Sequence, residues 1–506
     1  MKRTLPAIAA ATIATLILGG CTLLGPSAPT ESTPTGESVA ADLEPFYSQV
    51  LTWESCGEGI QCAAAEAPLD WADPARDSIE LALSRQVATG SDRLGSLLVN
   101  PGGPGASGRD LIIDSVDFAT SERLQSSYDI VGFDPRGVGA SSAISCYDDP
   151  FDLDTYLFDI TEGEFGSDEW LDNSEAIGES LGKDCLEFTG ELLGYVDTVS
   201  AARDLDLLRA VLGDKKLNYL GFSYGTILGA TFAELYPTKT GHLVLDGALD
   251  PESTGFDVTR TQTEGFESAL HAFMVDCETQ SDCPFPGDAD DSMKRVRALL
   301  DKLDASPLRH TDGRELGSAT MATAIILPLY NLDTWSYLRT LFTEVQQGGT
   351  EVAFILADAY NTREDGTYGD NSFEARVSIN CLDYGSSGTR EEWREQSAEL
   401  IELAPVFGPQ FSYGETTCLD WPFPPKREFG PIHATGSGEI LVVGTTNDPA
   451  TPYVWSQALA EQLDNGHLIT REGEGHTGYN KGNACVDGAV DDYFTSGTVP
   501  ASDPQC

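Results

Sequence analysis

The stretch Leu217–Gly225, LNYLGFSYG, constrains the fold more than any other part of the 506-residue chain. An apolar run ends in Gly221-Phe222-Ser223-Tyr224-Gly225, and residues at helical spacing follow from Thr226. A serine with glycine two positions away on each side suits a tight strand-to-helix turn, where two backbones must pass closely. The pentapeptide alone is a weak signal. Its weight comes from the strand–turn–helix setting, which puts the Ser223 hydroxyl beside a helix N-terminus that favours developing negative charge.

Neighbouring segments repeat the pattern. Gly95–Asn100 (GSLLVN), Tyr128–Asp134 (YDIVGFD), Asn218–Gly221 and His242–Asp246 (HLVLD) are short apolar runs, several ending in glycine-rich turns, as buried parallel strands do. Ser78–Val87 alternates like a further strand, while Thr198–Leu212 and Thr226–Tyr236 have helical spacing. This alternation predicts an α/β fold, a mostly parallel sheet with helices on both faces. The rhythm breaks after Asp250. Residues 251–430 read mainly as helices: Gly265–Val275, Met293–Leu303, parts of Ala319–Val345, and Glu391–Leu403. A strand at Glu439–Gly444, a helix at Thr451–Leu463 and a strand at His467–Thr470 then resume the pattern. The expected layout is a core at 43–250 and 431–506 with a large, mainly helical lid at 251–430, inserted before the last strands.

A serine nucleophile needs a base and an acid. Of the six histidines, His242 opens a strand, His271 and His310 lie in the helical block, and His433 precedes a strand. His467 starts the last strand, whereas His476, in GEGHTGY, follows it at the C-terminal end of the sheet. Asp448 occupies the turn after the preceding strand, in GTTNDPATP. The order Ser223, Asp448, His476 is that of α/β-hydrolases. Two backbone N–H groups should face the tetrahedral intermediate. Tyr224, next to the nucleophile, supplies one, and Gly103 in NPGGPGASG supplies the other. Such acyl transfer requires neither metal nor organic cofactor.

Charge and cysteines bear on location. Asp and Glu total 81 against 30 Lys and Arg, a net charge of −51, which repels phosphate backbones and so excludes nucleic acid as a partner. Residues 1–20 read as an export signal: Lys2 and Arg3, then an apolar run to Gly20 that is short of the roughly 20 residues of a bilayer-spanning helix. The run ends in Leu18-Gly19-Gly20-Cys21, which resembles the bacterial lipoprotein signal with Cys21 as the lipidated residue. Residues 21–42, rich in Ser, Thr, Pro and Gly, are expected to be a flexible tether. Without Cys21 ten cysteines remain, enough for five disulfides in an exported chain. Local spacing favours Cys56–Cys62, Cys277–Cys283 and Cys485–Cys506, with Cys146–Cys185 and Cys381–Cys418 as the remainder. The competing zinc reading lacks the CxxC spacings that it prefers.

The combination NPGGPGASG, YDIVGFDPRGVGASS, LNYLGFSYGT, VLDGALDP, GTTNDPATP and GEGHTGY, with INCLDY around Cys381 and CLDWPFPP from Cys418, resembles the secreted tripeptidyl-aminopeptidase family of actinobacteria. It is similar, more distantly, to proline iminopeptidases. The resemblance runs from about residue 45 to the C-terminus. It implies an exported serine exopeptidase, held at the membrane as a lipoprotein or released, that acts on peptide or protein N-termini. The chain is expected to be a monomer, though its sequence does not fix the oligomeric state. Ser223, Asp448 and His476 fall on the family's triad positions. Such an enzyme must also bind the substrate ammonium, and Asp383, between disulfide cysteines, is the candidate. Asp134 and Arg136 in DPRG are expected to stabilise a loop near the site. Two rivals stand beside this reading. A cell-envelope carboxylesterase or lipase would use the same triad; a non-catalytic solute-binding lipoprotein would share the anchor but leave the triad order unexplained. Replacing Cys21 with Ser is expected to shift the chain from the membrane fraction to the soluble fraction on cell fractionation, and unchanged membrane retention would refute the lipid anchor.

Overall fold

A computed structural model describes residues 30–506, so the export signal 1–20 and the lipidation site Cys21 lie outside the described residues. Ten strands make one sheet: β1 Thr30–Glu31, β2 Thr52–Gly57, β3 Ile60–Pro68, β4 Ser78–Gln86, β5 Gly95–Asn100, β6 Tyr128–Phe133, β7 Leu217–Phe222, β8 Thr240–Asp246, β9 Ile440–Asn447 and β10 Gly466–Glu474. Their order is β1-β2-β3-β4-β6-β5-β7-β8-β9-β10. Pairings are antiparallel from β1 to β6 and parallel from β6 to β10.

Every residue of β5 and β6 is buried, which is why these strands read as short, mainly apolar runs. Alternate side chains point to opposite faces. Leu98, Val131, Tyr219, Leu245 and Val442 join one core, while Leu97, Val99, Ile130, Leu220 and Val443 join the other. The crossover helix Thr198–Leu212 is capped at both ends. Asp197 caps its start by accepting from the Ser200 N–H, and Gly213 ends it in the left-handed region at φ 90°. β2 and β3 carry no strong sequence signal. Alanines 63, 64, 65 and 67 have little strand propensity, and β3 owes its form to the ladder from Ile60–Gln86 to Pro68–Ser78.

The lid has its own core, in which Phe273, Leu300, Phe342 and Phe354 are buried together. Its helices include Gly255–Glu278, Ala289–Ala305, Ser318–Leu329, Trp335–Gln346, Ser372–Asp383 and Arg390–Leu403. It is not built from residues 251–430 alone. Helices Pro150–Phe158 and Asp168–Thr189, inserted between β6 and the helix at 198, join it: Phe158 enters the lid core and Leu171 packs with Trp393 and Tyr413. All five expected disulfides are formed. Among the described residues, no helix is long and apolar enough to cross a membrane.

The tether expected at 21–42 needs correction over its described part. β1 pairs with β2, the Thr35 N–H donates to the Ala210 carbonyl at 2.9 Å, and Glu37 accepts from Arg209 and Lys239 at 2.8 Å each. A stretch too polar to build a core is thus ordered by a strand edge and by cations that the body already presents.

Arg136 is fully buried and bridges three segments. Its guanidinium donates to both Asp204 oxygens at 2.7 Å and to the carbonyls of Pro68, Leu69 and Tyr195. Asp134, its neighbour in DPRG, accepts from Ser107 Oγ and from the Arg109 and Ala140 amides, tying down the loops at the sheet's C-terminal edge. Removing one member of a buried pair strands the other charge. Asp204→Ala is therefore expected to cost about 3–5 kcal/mol in chemical denaturation; a loss below about 1 kcal/mol, the range of exposed pairs, would contradict this account.

Candidate active site

β7 ends at Phe222 and a helix starts at Tyr224, leaving Ser223 alone to turn the chain. Its backbone has φ 55° and ψ −125°, a strained conformation for a residue with a side chain. The Ser223 N–H donates to the Asp246 carbonyl at 2.9 Å, and its own carbonyl accepts from Thr226. A Cβ at Gly221 would stand 2.4 Å from the Gly225 carbonyl oxygen, so glycine is required there for steric reasons. Gly102, at φ +98°, approaches from the loop after β5, and a Cβ on it would lie 2.8 Å from Ser223 Cβ.

Gly103 and Tyr224 line the cavity that Ser223 faces. As the first helical residue, Tyr224 carries one of the N–H groups that a helix leaves without an internal acceptor. The Gly102 N–H is already taken by Asn100 Oδ1 at 3.0 Å, whereas Gly103 is the glycine of this loop that lines the cavity.

Asp448 and His476 are brought into direct contact at the ends of β9 and β10. His476 Nδ1 lies 2.9 Å from both carboxylate oxygens. Asp448, only 2% exposed, accepts further from the Ala450, Thr451 and Thr477 amides and from Thr451 Oγ1. An acid that saturated orients the ring firmly. The His476 N–H donates to the Tyr330 carbonyl at 2.9 Å, and the Tyr330 ring packs edge-on against the imidazole at 5.3 Å. No hydrogen bond joins Ser223 Oγ to His476 in this structure. The two are juxtaposed through the β8 end, where Asp246 holds the Ser223 amide and the next residue, Gly247, abuts the imidazole.

Comparison with known proteins agrees with this architecture. A family model described as TAP-like protein matches residues 404–506, which carry Asp448 and His476. Serine protease Hip1 of Mycobacterium tuberculosis is 34% identical over 488 residues, covering 92% of each chain. Carboxylesterase B of the same organism is 34% identical over 513 residues, covering 97% of this chain and 96% of its own. Tripeptidyl aminopeptidase of Streptomyces lividans is 29% identical over 472 residues, covering 90% and 86%. The chain belongs to the TAP-like family of α/β-hydrolases. It is a serine hydrolase.

Against that family background, Asp383 is not where the ammonium reading needs it. It is 1% exposed and does not line the cavity. Its carboxylate accepts from the Thr198 N–H at 3.0 Å and from Thr198 Oγ1 at 2.5 Å. That hydroxyl has one proton, so with Asp383 ionised it must accept from Tyr224 OH, 2.6 Å away. Asp383 therefore steadies the side chain of Tyr224, which lines the cavity. The other histidines are occupied elsewhere: His271 pairs with Asp290, His467 with Glu439, His310 with Thr350 and His433 with the Gln462 carbonyl, while His242 packs on Tyr493.

One supporting residue escaped sequence reading. Asp246, fully buried at the end of β8, accepts from the Gly478 and Tyr479 N–H groups at 2.8 Å each and so anchors the loop that carries His476. The signal was visible as an acid at a strand's C-terminal end, but its receiving loop lies over two hundred positions away.

Burial raises the pKa of Asp246 and of Asp383 to about 6, partly opposed by the hydrogen bonds each accepts, and raises Glu374 to about 7. A carboxyl that holds its proton more tightly folded than unfolded lends stability fully below the unfolded value of about 4, and that contribution is lost as pH rises through 6 to 7. Asp383→Asn, which cannot ionise, is expected to show a smaller decline in Tm between pH 4 and 7 than the parent chain. Equal slopes in a thermal-melt series would remove Asp383 from this account.

Proposed function

We propose that this chain is an exported serine exopeptidase that hydrolyses peptide bonds near free N-termini through an acyl-enzyme, in the manner of a tripeptidyl aminopeptidase. The observation that carries the reading is the roofed cavity over Ser223. Its volume is about 520 Å³, and lid residues from Gly255–Glu278, Ser318–Leu329 and Ser372–Asp383 cover it. Ligand-sized cavities span roughly 300–1,000 Å³. Such a space suits the end of a peptide, not a segment running on in both directions.

In the proposed reaction, Asp448 fixes His476 with Nδ1 as donor, which leaves Nε2 to take the Ser223 proton as Oγ attacks the carbonyl. The hydrogen bond from Ser223 to His476 forms as substrate seats the hydroxyl, since such contacts tighten in the reacting complex. The Gly103 and Tyr224 amides receive the oxyanion. His476 then protonates the departing amine, and water, activated by the same ring, releases the acyl group. The buried surroundings of Asp448 keep its charge unscreened beside the imidazolium that forms.

Location follows from the N-terminal reading. Cys21 would carry lipid and hold the enzyme outside the cytoplasm at the membrane, where five disulfides persist. The second reading, a carboxylesterase, is favoured by the relative of that name, which matches over nearly the whole chain. A panel of free and N-acetylated tripeptide substrates beside simple esters separates the two. Free-amine peptides are expected to be hydrolysed at least roughly tenfold more efficiently, the worth of one well-placed polar contact. All hydrolysis and all fluorophosphonate labelling should vanish in Ser223→Ala. If N-acetyl peptides and esters turn over as well as free-amine peptides, the exopeptidase reading fails.

A further inference from the structure

An exopeptidase that reads a free N-terminus must meet a cation inside its cavity, and the expected acid, Asp383, is sealed behind Thr198. Among the described residues lining the cavity, the side chains that carry formal charge are Arg376 and Glu415. Arg376 stacks on the Phe373 ring and forms no ion pair with Glu415. Glu415 is half-buried, and none of the described cations makes an ion pair with it. The more deeply buried Asp246 and Asp383 also lack a paired cation but are held by several N–H or O–H donors, whereas Glu415 is met only by its own backbone amide. Burial pushes its pKa up, with no neighbouring cation to oppose the rise.

Its backbone is fixed. Glu415 sits in the short turn Gly414–Cys418, and the Cys381–Cys418 disulfide ties that turn to helix Ser372–Asp383. Thr416, the next residue, is within hydrogen-bonding distance of Ser174 at 2.9 Å and donates to the Tyr413 carbonyl at 2.8 Å, so the turn is clamped between the two lid insertions. The other unpartnered acid of this region, Glu374, has a buried oxygen without a hydrogen bond, but it does not line the cavity.

We propose that Glu415 is the residue that binds the substrate's α-ammonium, a specificity-determining contact that rests on the exopeptidase reading above. An ammonium docked there would supply the missing counter-charge and form charge-assisted hydrogen bonds, stronger than neutral ones because the site is partly dry. Glu415 is fixed to the lid and Ser223 to the sheet, so the space between them sets how many residues fit on the acyl side. The lid thus measures peptide length from the amine, and the triad cuts at the other end.

The test compares kcat/KM for a free-amine tripeptide substrate with that for its N-acetyl form, in the parent chain, Glu415→Gln and Glu415→Asp. Rates are counted per site labelled by fluorophosphonate at Ser223, so misfolded chain does not mimic lost affinity. The expected result is a fall of roughly 10- to 100-fold in the free-to-acetyl ratio for Glu415→Gln, the worth of one charged hydrogen bond, mainly through KM. Glu415→Asp, which keeps the charge, should retain most of the preference. If the parent prefers free amines and Glu415→Gln prefers them equally, Glu415 is not the ammonium site, while the exopeptidase reading stands. If the parent shows no preference, the exopeptidase reading falls and this inference with it.

Discussion

Everything at the sheet's C-terminal edge is arranged around the turn at Ser223. A single residue reverses from strand to helix with a positive φ, which leaves its side chain outside both elements and its hydroxyl facing the cavity. That turn closes only because Gly221 and Gly102 present no side chains where two other backbones come in. Strain of order 1–3 kcal/mol at such a residue persists where surrounding contacts over-determine it. Here those contacts are the Asp246 carbonyl, Thr226 and the loop after β5. The same Asp246 that receives the Ser223 amide on its carbonyl holds the His476 loop with its carboxylate, so one strand end sets both partners.

The lid contributes more than a cover. Its Tyr330 carbonyl takes the His476 N–H, and helix Ser372–Asp383 packs on Gly105 of the loop that carries Gly103. The described site is thus shared between sheet and lid, whose helix Ser372–Asp383 sends Phe373, Ile379 and Leu382 into the sheet's core while the rest of the lid keeps a core of its own. An acidic chain also has to bury carboxylates without stranding them. Asp204 does so with Arg136, Asp448 with amides and His476, and Asp383 with Thr198. Inside the cavity Glu415 is met only by its own amide, and that contrast gives it its meaning.

The elements that could be read from sequence were those with one dominant local cause. β5 is legible because burial on both faces favours a short apolar run, and the helix Thr198–Leu212 because its apolar residues recur at helical spacing and stop at Gly213. β3 was not, since its alanines acquire strand geometry from β4. Helices Pro150–Phe158 and Asp168–Thr189 went unassigned to the lid because their apolar faces are covered by residues such as Phe354, Trp393 and Tyr413, far along the chain. Asp383 was misplaced for a related reason: an acid beside a disulfide cysteine looks available until the fold buries it.

Sequence alone located the proposed triad at strand ends. Ser223, Asp448 and His476 each follow a recognisable strand, and a parallel sheet brings successive strand ends to one edge whatever the loops do. The cysteine count and spacing likewise anticipated the five disulfides. Only the tertiary structure decided which carboxylates face solvent, protein or cavity. Burial depends on residues brought together from distant segments, so Asp246, Asp383 and Glu415 look alike in sequence. Their roles part only when the lid and sheet close around them.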